Sequence, residues 1–117
     1  MIDPAPIRIE TAPHYRWGAG CDGWHLVRAP GLSVIQERMP PATSETRHRH
    51  SKAQQFFYVL SGEAVIEIDG VRTKLHRNEG IRVPPGAAHR MQNLAKVALE
   101  FLVTSEPPTH GDRVELP

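Results

Sequence analysis

The sequence has few of the features that mark exported or membrane-spanning proteins. Its 117 residues include one cysteine, Cys21, so no intramolecular disulfide can form, which is typical of a reducing compartment. No apolar run approaches the roughly twenty residues that span a bilayer. The N-terminus, from Met1 to Pro4, does not begin with a basic segment followed by an apolar one. We therefore expect a cytoplasmic protein without a membrane partner.

The chain has almost no excess of positive over negative residues, with 14 lysines and arginines against 13 acidic residues. The formal net charge is +1 at pH 7, whereas nucleic-acid-binding domains are usually strongly basic. The densest basic stretch, residues 47–52, holds two arginines and one lysine with no aromatic residue between them. It therefore lacks the stacking surface that single-stranded nucleic acid requires. We predict no nucleic-acid partner, and an interaction module built on this stretch is the least supported function.

Helical periodicity is missing, while proline (11) and glycine (9) are plentiful. This composition favours short strands joined by turns. Asp69-Gly70, between two β-type runs, is typical of a two-residue hairpin. The predicted strands are 24–28, 32–39, 54–60, 64–68, 71–75, 81–83, 89–93 and 97–104. Eight strands without a helix predict an all-β fold, either a closed barrel or two packed sheets.

The length predicts one domain with one core, residues 1–117. Residues 1–20 have little periodicity and five prolines and glycines, so we predict an N-terminal arm there. Residues 107–117 are polar and rich in turn formers, which predicts a tail that is surface-bound or disordered unless a partner holds it. Both faces of strand 54–60 are largely apolar, which predicts a strand covered on both sides.

Three histidines suggest a metal site. His48 and His50 are separated by one residue, and His89 follows later in the chain. On an extended strand alternate side chains share a face, so His48 and His50 can point into one cavity while Arg49 points out. Neutral imidazole is a frequent ligand of divalent transition metals. The alternative is that the pair lies on an exposed, basic strand.

These residues carry a resemblance to a known family. The run His48-Arg49-His50, followed by Gln55 and Gly62, resembles the first motif of the cupins. The run from Pro84 to His89, followed by Asn93, resembles the second. The resemblance covers about residues 31–105 and implies a small single-domain cupin of the cupin 2 type, with a double-stranded β-helix, or jelly-roll barrel. It also implies a homodimer, which would cover open sheet edges.

The resemblance implies one divalent transition metal ion bound by His48, His50, His89 and a fourth ligand. The family usually has glutamate in the fourth position, whereas this chain has Gln55, whose amide oxygen is neutral and a weaker donor. Gln55 either binds the ion or hydrogen-bonds a histidine or a bound water. We expect weak metal retention and a preference for an anionic oxygen from a substrate. Nickel, iron, zinc, manganese and cobalt are not distinguished, and metal affinity should fall below about pH 6.5, the unperturbed histidine pKa.

Two further departures from the family pattern fall at turns. Ala42 stands where the family has a glycine, and Asn78-Glu79 replaces Gly-Asp at the start of the second motif. We expect both changes to be tolerated.

Strand alternation also predicts the pocket. If Gln55 and His89 point inward, Phe57 and Met91 share their faces, and we predict that these two side chains contact the substrate. The alternative for both is ordinary core packing. Glu37 and Arg82 are candidate polar contacts. The aromatic residues of the arm, Tyr15 and Trp17 among them, would close one mouth of the barrel or pack on a second subunit.

The predicted function is that of a metal-binding cupin, a small metalloenzyme that acts as a Lewis acid on an oxygen-bearing small molecule. The resemblance implies isomerases, lyases, cyclases and dioxygenases. The alternative is a non-catalytic cupin that binds a carbohydrate or an effector. Because the motifs fix no acid or base, the catalytic residues stay unassigned. The fold alone does not decide between the two functions.

Overall fold

The computed structural model describes residues 4–117, which form twelve β-strands and no helix. The strands are β1 (His14–Trp17), β2 (Cys21–Ala29), β3 (Leu32–Met39), β4 (Thr43–Ser44), β5 (His48–Arg49), β6 (Gln54–Ser61), β7 (Ala64–Ile68), β8 (Val71–Leu75), β9 (Gly80–Val83), β10 (His89–Asn93), β11 (Leu99–Glu106) and β12 (Val114–Glu115). The prediction of an all-β fold is confirmed. In this part of the chain no helix is long and apolar enough to cross a membrane.

Two antiparallel sheets form the fold. The first has the order β1-β2-β3-β11-β6-β9, and the second has the order β12-β5-β10-β7-β8, with β4 paired to β10. Strand β11 comes from the C-terminal part of the chain and lies between β3 and β6. The long-range pairing of β11 therefore joins β3 to β6 within the first sheet.

The core lies on the inner faces of the strands. Along β11 the alternate residues Leu99, Phe101 and Val103 are buried, and Phe101 packs on Phe57 with ring centroids 5.9 Å apart. Burial of one such large apolar side chain contributes roughly 1.5–3 kcal/mol. The period of two in the sequence is therefore the signal that sets which residues face the core.

The outer face of β6 differs from the prediction. Gln55, Phe57 and Val59 are buried as expected, but Phe56 on the other face is 45% exposed. Phe56 stacks on Tyr58 with ring centroids 6.2 Å apart. The prediction that β6 is covered on both sides was wrong, because its outer aromatic residues pack on each other instead of under a further layer.

Four short strands were not predicted: β1, β4, β5 and β12. Strand β1 lies in the predicted N-terminal arm, and β12 lies in the predicted C-terminal tail, where it pairs with β5. Strands of two to four residues are too short for a period of two to show in the sequence. The first three residues of the predicted arm lie outside the described residues.

The turns follow the predicted chemistry at most positions. Asp69 and Gly70 have φ values of 48° and 84°, which suits the hairpin between β7 and β8. Asn78 has a φ of 66°, and asparagine tolerates this left-handed region. Ala42 has a φ of 61°, where an alanine costs about 1–2 kcal/mol. The missing glycine is therefore accommodated at Ala42 with backbone strain.

Candidate metal centre

The second sheet brings the three histidines together. His48 on β5 and His89 on β10 are direct register partners, and His50 follows β5 by one residue. All three are buried. The centroids of the His48 and His89 rings are 4.4 Å apart, and those of His48 and His50 are 5.0 Å apart. One nitrogen of each ring lies within 4.8 Å of the others, so small ring rotations let all three reach one ion.

Each histidine is oriented by a backbone carbonyl. His48 Nδ1 donates to Thr46 O at 2.7 Å, and His89 Nδ1 donates to Ala87 O at 3.0 Å. His50 Nδ1 donates to the carbonyl oxygen of Asp112. Because a carbonyl oxygen only accepts, Nδ1 of His48 and of His50 carries the proton and Nε2 keeps its lone pair. His89 has an acceptor at both ring nitrogens, Ala87 O and Gln55 Oε1, and the tautomer protonated on Nδ1 leaves its Nε2 with a lone pair in the same way. This is the arrangement that metal-binding histidines adopt.

Gln55 completes the group. Its Nε2 donates to Ser105 Oγ at 3.0 Å, which turns Oε1 towards the histidines, 3.0 Å from His89 Nε2. In the tautomer of His89 that is protonated on Nδ1, both of these facing atoms bear lone pairs, and a cation next to both would stabilise the contact. Ligands about 2.1 Å from an octahedral ion lie about 3 Å apart when they are adjacent. The donor set, three imidazole nitrogens and one amide oxygen, fits a divalent transition metal ion.

Burial keeps these imidazoles neutral. It lowers the pKa of His48 to about 3 and also lowers the pKa values of His50 and His89. Ligand imidazoles must be neutral to bind a metal. In the folded protein, protons would therefore compete with a metal ion for these histidines only at a pH lower than the expected value near 6.5.

A cavity of about 370 Å³ adjoins His48 and His50, whereas His89 is not among its lining residues. His48, His50, Gln55 and Phe57 line one part of it, which we call the histidine end. Met91 is fully buried in the core cluster and is not among the lining residues. Strand alternation could not distinguish Phe57 from Met91, because inward-facing side chains of a strand can either pack in the core or line the cavity.

The cavity also holds a group that the motifs did not indicate, which we call the carboxylate end: Tyr15, Glu37 and Glu45. Glu37 on β3 is 8% exposed, and the Tyr15 hydroxyl donates to its Oε2 at 2.7 Å. Burial, with a contribution from Glu45, raises the pKa of Glu37 to about 8. Burial likewise raises the pKa of Glu45 to about 7, while Met91 N donates to its Oε1 at 2.9 Å. Glu37 is therefore largely protonated at neutral pH.

A glycine allows Tyr15 to reach Glu37. Tyr15 on β1 pairs with Gly23 on β2, which pairs with Glu37 on β3. A Cβ atom at Gly23 would lie 2.2 Å from Cζ of Tyr15, so the tyrosine ring lies directly over this residue. Any side chain at Gly23 would displace the ring. The only sequence signal for this arrangement was the carboxylate of Glu37 on the buried face of β3.

The C-terminal residues hold the histidine end in place. We call residues 109–116 the C-terminal strap. The Asp112 carboxylate accepts backbone hydrogen bonds from Ser51 at 2.7 Å and from Lys52 and Ala53 at 3.0 Å, in the turn that follows His50. Thr109, Arg113 and Glu115 line the cavity. The segment predicted to be a surface-bound or disordered tail is thus part of the site wall.

Histidines that do not belong to the candidate metal centre, and the motif residue Asn93, have other hydrogen-bond partners. His14 Nε2 lies 2.8 Å from Asp22 Oδ1, and His76 Nδ1 lies 3.0 Å from Glu79 Oε1. Asn93 Nδ2 donates to the backbone oxygens of Met39 and Val97, both at 2.9 Å. Asn93 therefore joins neighbouring segments of the backbone.

Comparisons with known proteins identify relatives of this chain. A model of the cupin domain matches residues 35–105. An uncharacterized protein of Methanocaldococcus jannaschii is 26% identical over 84 residues, which cover 72% of this chain and 67% of that protein. The oxalate-binding protein of Thermotoga maritima is 28% identical over 108 residues, which cover 87% of this chain and 89% of that protein. Other relatives are longer: the chain spans about half, 48%, of the tetracenomycin polyketide synthase protein TcmJ of Streptomyces glaucescens, at 28% identity over 83 residues.

Solved structures show the same fold. The crystal structure of a predicted oxalate decarboxylase from Thermotoga maritima matches with a TM-score of 0.82, covering 89% of this chain and 100% of that chain at 19% identity. At this level of sequence identity the structural similarity establishes the fold, a double-stranded β-helix, and not the function. The cupin match spans more than half of the chain, and both motifs lie within it. The resemblance is confirmed, and the chain belongs to the cupin family.

Proposed function

We propose that this protein is a metal-dependent cupin enzyme that acts on an oxygen-bearing small molecule. His48, His50, His89 and Gln55 would hold one divalent transition metal ion. When bound, the ion would supply Lewis acidity to an oxygen atom of the substrate. The observation that carries the proposal is the clustering of one nitrogen from each of three buried histidines within 4.8 Å, with Gln55 Oε1 3.0 Å from His89 Nε2 and a backbone carbonyl at every Nδ1.

Glu37 supplies the acid or base that the motifs left unassigned. It lies on the wall of the same cavity, and its pKa near 8 lets it release and regain a proton close to neutral pH. Tyr15 holds Oε2 of Glu37 in a hydrogen bond of 2.7 Å and thereby fixes the carboxyl group. A substrate that spans the cavity would meet the metal at the histidine end and a proton donor at the carboxylate end.

Apolar side chains also line the cavity. They are Phe57 at the histidine end, Ile35, Val103 and Trp17. An apolar lining excludes water and strengthens the electrostatic interactions inside the cavity. This lining suits a small, partly apolar substrate whose polar atoms lie at its ends. Phe57 keeps its predicted role as a substrate contact.

The proposal is tested first by metal content and then by turnover. Protein purified without nickel-affinity chromatography should contain close to one transition metal ion per chain by elemental analysis, and Gln55→Ala should contain less. A panel of carbonyl compounds and hydroxy acids, screened by NMR together with oxygen uptake, should reveal turnover. Glu37→Gln should lower kcat, whereas Glu63→Gln, at an exposed residue that lies outside the cavity, should not. Absence of metal after reconstitution with each candidate ion would refute the proposal.

A non-catalytic ligand-binding cupin is the second candidate. The Thermotoga maritima relative that matches along most of both chains is an oxalate-binding protein. In that case the cavity would capture a ligand without converting it. Metal-loaded protein that binds a ligand tightly, with no turnover and no effect of Glu37→Gln on any reaction, would favour this function over the enzyme.

We also propose that the protein is a homodimer. Strand β1 lies at one edge of the first sheet and β9 at the other, and pairing of open edges across a two-fold axis would protect them. Light scattering at micromolar concentration tests this proposal. A monomer mass under these conditions would refute it.

A further inference from the structure

The C-terminal strap carries a charged side chain to which neither the motifs nor the comparisons assign a role. We propose that Arg113 recognises a carboxylate group of the small molecule held at the metal centre, so that the ligand is an anionic small-molecule carboxylate. This inference rests on the proposed function, because it adds the class of ligand to the metal centre.

The strap is fixed to the strand that bears the histidines. Val114 pairs with Arg49, and Glu115 pairs with His48. Beyond the strand, Leu116 N donates to Arg47 O at 2.9 Å. On the other side, Asp112 is held by three backbone hydrogen bonds and by the His50 ring. Arg113 therefore lies between two anchored neighbours.

Strand alternation directs Arg113 into the cavity. His48 and its partner Glu115 both line the cavity, while Arg49 and Val114 are both exposed on the other face. The same antiparallel register brings Arg113 level with His50 and onto the inner face, and both line the cavity. Cross-strand neighbours of this kind have Cβ atoms about 5 Å apart. The guanidinium group therefore lies within reach of a ligand at the histidine end.

The guanidinium group of Arg113 has donors to offer. Its Nε lies 3.7 Å from Oε1 of Glu115, which is longer than a hydrogen bond, and the side chain is 41% exposed. Guanidinium presents several N–H groups in a planar fork that matches the two oxygens of a carboxylate. A carboxylate can also offer one of its oxygens to a divalent ion.

The charges of the site favour an anion. The four candidate metal ligands are neutral, so the charge of the ion would remain uncompensated by protein. Arg113 adds a further positive charge, which the Glu115 carboxylate on the same wall, 3.7 Å from Arg113 Nε, offsets in part. Glu37 does not cancel this charge at neutral pH, because burial raises the pKa of that carboxyl to about 8. An anionic ligand would supply the missing negative charge.

Calorimetric titration with oxalate tests the inference on cobalt-loaded protein. Arg113→Ala should weaken oxalate binding about 10- to 100-fold, the usual effect of losing a hydrogen bond to a charged group. Arg113→Lys should lie between Arg113→Ala and wild type, because it keeps the charge without the fork. The matched control is Arg49→Ala, on the opposite face of the same strand pair, which should bind oxalate like wild type. Imidazole, a neutral metal ligand, should bind all variants equally.

Other outcomes of this experiment would overturn either the role of Arg113 or the proposed function. Equal oxalate affinity in Arg113→Ala and Arg49→Ala would overturn the inference, as would a wild-type protein that binds cobalt but not oxalate. Loss of cobalt in Arg113→Ala would also overturn it, because Arg113 would then act on the metal site and not on the ligand. A wild type that takes up no metal would refute the proposed function instead. Oxalate would then be titrated into metal-free protein, where the same Arg113→Ala loss would support the role of Arg113 and no loss would refute it.

Discussion

The two ends of the cavity are built in different ways. At the histidine end, His48 and His89 each bond to a carbonyl two residues earlier, at Thr46 and Ala87. At the carboxylate end, Tyr15 bonds to Glu37 across a separation of 22 residues, and only because the intervening strand presents Gly23. Local anchoring gives a motif that a sequence displays, whereas anchoring across strands leaves no local pattern.

The two ends also respond to pH in opposite directions. Burial lowers the histidine pKa values and raises those of Glu37 and Glu45, so burial favours the neutral form at each end. Buried histidines destabilise the folded protein as pH falls below about 6.5, because only the unfolded chain then gains protons. Buried glutamic acids destabilise it as pH rises above about 4.5 for the converse reason. The free energy of unfolding should therefore be largest between these two pH values, where the two opposing slopes cancel.

The largest effect should follow from removal of a candidate metal ligand. His89→Ala removes one imidazole and the partner of Gln55 Oε1, so we expect metal affinity to fall at least about 100-fold, beyond the usual effect of changing an outer partner. Competition with a chelating dye measures this change. The matched control is His76→Ala, at a side chain that is 62% exposed, which should bind metal like wild type. Full metal retention by His89→Ala would contradict the assignment of the histidine end.

The charge of the histidine end can be changed at one atom. Gln55→Glu replaces the neutral oxygen with an anionic one, so we expect metal affinity to rise about 10-fold or more. The Ser105 hydroxyl can still satisfy the new side chain by donating to it. Gln54→Glu is the control, because the Gln54 amide bonds to Glu106 and Arg82 away from the histidines. Unchanged affinity in Gln55→Glu, measured by the same dye competition, would show that residue 55 does not bind the metal.

The carboxylate end can be separated from the histidine end by pH. The Glu37 carboxyl loses its proton from about pH 4.5 in the unfolded chain but only near pH 8 in the folded protein. The free energy of unfolding therefore decreases between these values. In Glu37→Gln this decrease should be smaller by at least about 1 kcal/mol, or about 4 °C in Tm, when metal-free protein is melted at pH 5 and pH 8.

The control for this prediction is Glu63→Gln, whose side chain is 46% exposed and should keep the wild-type pH dependence. Glutamine can still accept the hydrogen bond of Tyr15, so the fold should be retained. A wild-type slope in Glu37→Gln would mean that Glu37 does not keep its proton in the folded protein.

Much of the fold could be predicted because burial imposes a period of two. The eight predicted strands all exist, although the last runs over Leu99–Glu106 and not over 97–104. The histidine positions followed from the same alternation, with His48 and His50 both buried. The pattern could not show which inner residues face the cavity, so Phe57 lines it while Met91 packs in the core.

The features that the sequence did not predict are contacts between segments that lie far apart in the chain. Asp112 binds the turn at Ser51, about sixty residues earlier in the chain, and β12 has only two residues. No local signal in the strap distinguishes it from a polar tail. Likewise, nothing in the local sequence marks Gly23 as important. Its role follows from the strand pairing that places Tyr15 on one side of it and Glu37 on the other. In this protein the unpredicted parts are the hydrogen bond that joins Tyr15 to Glu37 at the carboxylate end and the docking of the strap, and both shape the cavity.

The smallest effect concerns the segment that joins the two ends. Ala42 precedes Glu45 and His48 and holds a left-handed φ of 61°. Glycine there relieves about 1–2 kcal/mol of strain but returns roughly 0.4–1 kcal/mol of entropy to the unfolded chain. Ala42→Gly should therefore stabilise the protein by about 0.5–1 kcal/mol, raising Tm by a few degrees. Ala19→Gly, in an exposed turn without a positive φ, should instead lower Tm, and equal shifts in both variants would show that the Ala42 backbone is not strained.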